Sequence, residues 1–139
     1  MSFAVARMEP LFLSLDEVLE IHHQQVERYG GSLGLRDAAG LESAVATPQA
    51  TFGGEFLHTS IPAMAAAYLF HLCQNHPFVD GNKRAGANAA ITFLFLNNWE
   101  PTLAEEELVE LVLAVASSRL AKQELVAVFE SRCRSLGEG

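Results

Sequence analysis

A chain of 139 residues, half of them apolar and about a fifth charged, has enough material for one buried core and the balance of a soluble globular protein. Seventeen acidic against nine basic residues leave a net charge of -8, which excludes a coat for nucleic acid: phosphate backbones demand a basic footprint. The opening residues hold no long apolar stretch of the secretory kind, and apolar stretches such as 89–96 are far short of the ~20 residues that a bilayer requires. The expectation is one cytoplasmic domain over 1–139, with no membrane and no direct nucleic-acid partner.

Strand signals are nearly absent and helix punctuation recurs. Ser14-Leu-Asp-Glu17 is a capping box. It opens a first helix with Leu15, Val18, Leu19, His22 and Val26 on one face and a stop near Tyr29-Gly30-Gly31. Asp37 caps a second helix that ends before Pro48. Residues 48–60 follow no helical period, and Gly53-Gly54 between Phe52 and Phe56 reads as a loop or hairpin-like flap.

A third helix starts at Thr59 or Ser60 with Pro62 in its first turn, carrying Ile61, Met64, Ala65, Tyr68, Leu69, Leu72 and Cys73 as its apolar stripe. The fourth, from Gly81 to Asn97, is apolar all round through its body and is therefore expected to be the central buried helix. Thr102-Leu-Ala-Glu105 reads as a second capping box, opening a fifth helix with Leu108, Leu111, Val112 and Val115 inward. A sixth spans 120–135, with Leu125, Val128, Phe129 and Cys133 at core spacing, and residues from 136 onward fray. The fold class is all-α: a compact bundle of about six helices around a central buried one, with a flap before the third.

Cys73 and Cys133 stand outside any metal-ligand spacing and read as buried free thiols. The five histidines form no helical His-x-x-x-His pair, which argues against structural zinc.

The chemistry concentrates between the third and fourth helices. A glycine turn entering a helix offers free N–H groups at the positive end of the helix dipole. Lys83 and Arg84 in that first turn oppose the dipole by ~0.3–1 kcal/mol each unless an anion is bound. Gly81-Asn82-Lys83-Arg84 therefore reads as a phosphate site. His76, five residues earlier, can accept a proton near neutral pH, and Asp80 can hold Mg²⁺. The bland alternative is an Asx-capped turn followed by two solvated cations.

The whole run His76-Pro-Phe-Val-Asp-Gly-Asn-Lys-Arg84 resembles the signature of the Fic/Doc family. Gly34-Leu-Arg-Asp37, Leu41-Glu-Ser-Ala44 and the stretch 113–120 extend the likeness to the Doc-type branch. The resemblance implies the Fic fold, with His76 as catalytic base, Phe78 as an anchor of the motif loop and Asp80 as the Mg²⁺ ligand. It further implies that Gly81, Asn82, Lys83 and Arg84 bind ATP phosphates. Helix spacing puts Asn88 one turn beyond Arg84 on the same face, either to touch the ligand or to cap a buried backbone group. Lys83 replaces the glycine of AMP-transferring members, and Ala87 stands where those carry a second arginine. Both features resemble Doc-type toxins, which transfer the γ-phosphoryl group of ATP to a protein hydroxyl, elongation factor Tu being the expected target and translation arrest the effect. Adenylylation is the alternative, and a catalytically inactive helical binding module or a small-molecule phosphotransferase would be further ones. In the family a target segment docks beside the flap. Self-inhibited members carry a Ser/Thr-x-x-x-Glu-Gly/Asn helix. Only Glu138 precedes a Gly or Asn here, with Arg134 four residues before it, so inhibition is expected in trans from an antitoxin.

Overall fold

The structure, a computed structural model, describes residues 9–137. Six helices account for most of it: α1 (Leu15–Tyr29), α2 (Ala38–Ala46), α3 (Ile61–Asn75), α4 (Asn82–Leu96), α5 (Glu105–Ala116) and α6 (Lys122–Arg132). Two antiparallel ribbons complete it, β1 (Thr51–Phe52) with β2 (Glu55–Phe56), and β3 (Trp99–Pro101) with β4 (Cys133–Ser135). This is the all-α bundle expected from the sequence, and no helix among the described residues is long and apolar enough to cross a membrane. The expectations about Glu138 and about the chain's opening residues lie outside the described residues.

Local chemistry sets most boundaries. Ser14 and Glu17 close the capping box of α1 from both sides, at 3.1 and 2.8 Å. Asp37 accepts from the Gly40 N–H at 2.9 Å, and Ser60 from the Ala63 N–H at 3.1 Å. The flap is a true hairpin, Thr51 opposite Phe56, turned through Gly53 and Gly54 at φ +61° and +84°. Such angles suit glycine, whose missing Cβ removes the steric penalty.

Six expectations change. The centre of the bundle is α3, with eleven of its fifteen residues buried, whereas α4 leaves Phe95 and Leu96 exposed. Alanines at 63, 65, 66 and 67 let α2, α4, α5 and α6 approach α3 from all sides. At Gly86 of α4 a Cβ would stand 3.3 Å from the Leu69 carbonyl oxygen of α3, so the two helices pack backbone to backbone. Thr102 caps nothing: its hydroxyl and its N–H both donate to the Arg132 carbonyl. Glu107 takes the capping role, accepting from the Ala104 N–H at 2.8 Å while its carboxylate pairs with Arg132. The last helix stops at Arg132, because residues 133–135 extend to pair with β3. Leu136, expected to fray, donates its N–H to the Asn98 carbonyl at 2.8 Å. Cys73 is buried as expected, but Cys133, on β4, is only half-buried. Leu19 of α1 also faces solvent in part.

The core joins Val18 of α1, Leu41 and Ala44 of α2, Met64, Tyr68, Leu69 and Leu72 of α3, Phe93 and Leu94 of α4, Val115 of α5, and Leu125 and Phe129 of α6. Fully burying a side chain of this size contributes about 1.5–3 kcal/mol. Tyr68 keeps its hydroxyl satisfied by accepting from the Leu13 N–H at 2.9 Å, and burial pushes its pKa up to about 12.

Candidate active site

The joint between α3 and α4 is held from three directions. The first is a strap formed by residues 34–37. Helix α3 ends at His76, whose backbone is left-handed (φ 49°, ψ 54°), a conformation unfavourable for a residue with a Cβ. The Pro77 carbonyl accepts from both the Arg36 and Asp37 N–H groups, at 2.7 and 2.9 Å. Val79 donates to the Gly34 carbonyl, and Leu35 pairs with Phe78 as a single antiparallel bridge. The Arg36 guanidinium donates to the carbonyls of His76 (2.6 Å) and Asn75 (3.0 Å).

The second brace is His22 of α1, 2% exposed, which stacks on Phe78 with ring centroids 3.6 Å apart and planes within 4°. Its Nε2 lies 2.8 Å from the Asp80 carbonyl oxygen. A carbonyl only accepts, so Nε2 carries the proton. The periodicity that placed His22 at the core side of α1 thus has a second consequence: the same ring fixes the loop.

The third brace is Asn82, 7% exposed. Its Oδ1 accepts from the Phe78 N–H and its Nδ2 donates to the Phe78 carbonyl, both at 2.9 Å. The Asn82 side chain therefore closes the loop on itself, and what it presents at the helix start is its backbone N–H.

On this frame the polar groups fall as follows. His76 is exposed at the end of α3. Asp80 is exposed, with Oδ2 accepting from the Ser32 N–H at 2.8 Å. Gly81 is left-handed (φ +83°), and a Cβ there would meet the His22 ring at 3.4 Å. Helix α4 begins with no side-chain cap, so the N–H groups of its first turn are open to a ligand. Lys83 and Arg84 are exposed beside them, and the Arg84 guanidinium lies 4.4 Å from the centre of the Tyr29 ring. Among the described residues no carboxylate pairs with either cation.

Two cavities open here. One of about 300 Å³ brings together Gly31, Asp80, Gly81 and Arg84; the other, about 510 Å³, runs from Gly81–Arg84 along Asn88 and Ile91 between α1, α4 and α5. His76 lines neither. Asn88 does two things: it lines the larger groove and donates to the Arg84 carbonyl at 2.9 Å. Behind the site, burial pushes the Cys73 thiol up to about 11, against a small opposing pull from the Lys83 charge.

Mg²⁺ suits this donor set. It binds through one or two carboxylates together with substrate phosphates. Asp80 keeps one carboxylate oxygen outside its bond to Ser32, next to Arg84. Among the described residues no cluster of three His, Cys, Asp or Glu exists that could hold a transition metal by protein ligands alone.

Arg36, Ser32 and Tyr29 carry the frame and floor of the site, yet no local pattern in the sequence singled them out. The one pointer was the Gly34-Leu-Arg-Asp37 run.

Comparisons with known proteins point to one family. The family model described as "Fic/DOC family" matches residues 12–94. Over 69 residues the chain is 48% identical to "Toxin Doc" of Mycolicibacterium smegmatis (strain ATCC 700084 / mc(2)155), covering 50% of this chain and 53% of that protein. It is 29% identical over 109 residues to "Protein kinase doc" of Escherichia phage P1, covering 78% of this chain and 85% of that one. The chain thus spans about half the length of the first relative and most of the second.

Proposed function

Because the chain belongs to the Fic/DOC family as a Doc-type member, we propose that it is a toxin transferring the γ-phosphoryl group of ATP to a hydroxyl of a target protein. One observation carries the reading: a braced loop sets His76 and Asp80 before an uncapped helix N-terminus whose two cations pair with no carboxylate among the described residues.

His76 takes the proton of the target hydroxyl as its oxygen bonds to the γ-phosphorus, and the bridge to the β-phosphate breaks to release ADP. The first N–H groups of α4 and the side chains of Lys83 and Arg84 hold the phosphates and offset their charge. Gly81 permits the turn, and Asn82 keeps it rigid. Asp80 would hold Mg²⁺, which supplies further charge neutralisation on the phosphates. Phosphoryl transfer asks mainly for positioning and electrostatics, so a site of this size suffices.

Elongation factor Tu is the proposed target, with the flap as the place where a target segment docks in extended form. The proposed brake is an antitoxin acting in trans. In support, the described residues leave Arg84 over an aromatic ring rather than against an inhibitory glutamate.

The test is intact-protein mass spectrometry of elongation factor Tu incubated with the protein, Mg²⁺ and ATP, beside a His76→Ala control. A gain of one phosphoryl group absent from the control is the expected result. A gain of one adenylyl group would replace kinase by adenylyltransferase. No gain on the factor or in a whole lysate would reject a transferase.

A further inference from the structure

Arg36 lies outside both cavities and touches no position proposed for a ligand, yet it makes the two bonds that end α3. Its Nε donates to the His76 carbonyl at 2.6 Å and its Nη2 to the Asn75 carbonyl at 3.0 Å. We infer that Arg36 is a positioning residue for the transfer step: its guanidinium holds His76 in a left-handed backbone conformation and so aims the imidazole. The inference rests on the reading of His76 as the proton acceptor.

The physical case has three parts. A residue with a Cβ resists φ 49°, and His76 is one of only three non-glycine residues with positive φ among those described. Something must hold it there, and a fork of two charge-assisted bonds to successive carbonyls fixes the two peptide planes that flank the His76 Cα, 75–76 and 76–77. Together those planes set φ and ψ of His76 and with them the direction of its Cα–Cβ bond. Second, a cation at this place meets the negative end of the α3 dipole, so the contact is favourable electrostatically as well as geometrically. Third, Arg36 is itself aimed. Its N–H is bonded to the Pro77 carbonyl, and its Nη2 stands 4.0 Å from Asp37, whose carboxylate is anchored on the Gly40 N–H. The cap of α2, the fork and the end of α3 form one chain of contacts leading to the base.

A plain structural tie between α2 and α3 would explain the same bonds, and the structure offers a control for it. The Asn75 side chain donates to the Gly40 carbonyl at 2.9 Å, tying the same two helices without touching the His76 carbonyl. Lysine at 36 keeps the charge but cannot fork.

The experiment compares full-length wild type, Arg36→Ala, Arg36→Lys and Asn75→Ala in two assays. Transfer from γ-labelled ATP to elongation factor Tu should fall by roughly tenfold to a hundredfold in kcat for Arg36→Ala, with KM for ATP held within about twofold. Arg36→Lys should resemble it, and added methylguanidinium should restore part of the Arg36→Ala rate. Asn75→Ala should lose stability without that loss of kcat. Independently of any transfer, the NMR signals of the His76 imidazole should shift and broaden in both Arg36 variants and keep their wild-type positions in Asn75→Ala. Unchanged His76 signals in Arg36→Ala, or a kcat loss matched by Asn75→Ala, would overturn the inference. If wild type transfers nothing, the functional reading fails, and the His76 signals alone decide the role of Arg36.

Discussion

Replacing Asn82 by alanine isolates the brace that closes the loop. The side chain makes two buried bonds to one residue, accepting from the Phe78 N–H and donating to its carbonyl. Alanine removes both and leaves two buried backbone groups of Phe78 without a partner. Each bond is worth about 1 kcal/mol net, and a stranded group adds to the loss, so the expected destabilisation is about 2–4 kcal/mol. The unfolding entropy of a 139-residue chain is about 0.3 kcal/mol per kelvin, which turns that loss into a fall in Tm of about 7–14 °C. Thermal unfolding followed by far-ultraviolet circular dichroism measures it directly. A Tm within about 2 °C of wild type would refute the reasoning, because Phe78 would then be held by the strap and the His22 stack alone.

Three further outcomes are expected. His22→Leu keeps apolar volume but removes the donor to the Asp80 carbonyl and the stack on Phe78; urea unfolding should show a loss of about 1–3 kcal/mol. Burial lowers the pKa of His58, and lowers that of His71 to about 4, with the Lys122 charge acting the same way on both. The unfolded chain therefore binds more protons than the folded one below the ordinary histidine pKa, so this stability is fully present above about pH 6.5 and, for His71, is lost as pH falls toward about 4. Tm measured from pH 7.5 to 4.5 should decline across that window, and His71→Gln should flatten the decline. Finally, Cys73 and Cys133 are both pushed up to about 11 by burial, so neither is a thiolate at pH 8. A disulfide reagent should label them slowly in the folded protein and rapidly in guanidinium, and fast labelling of Cys73 in the native state would contradict its placement.

What the sequence determined by itself was local or periodic. Ser14 with Glu17, Asp37, and Ser60 before Pro62 each state a helix start within four residues, because a cap bonds only its own first turn. The glycine pair at 53–54 announced the flap, and the nine residues from His76 to Arg84 marked the candidate site by their chemical types. The tertiary structure alone decided the rest. That α3 rather than α4 lies at the centre depends on how many neighbours each helix acquires, and an all-round apolar pattern does not count neighbours. Thr102 could not be told from a cap until Arg132 arrived from thirty residues downstream to take its hydroxyl. For the same reason the last turn of the expected sixth helix became β4: Trp99–Pro101 offered it a ladder that no local preference encodes. The site shows the division most sharply. The groups proposed to react are contiguous in the chain and legible there, whereas the residues that hold their loop, His22, Ser32 and Arg36, act across 40 to 58 positions of sequence, through contacts that exist only once the bundle has closed.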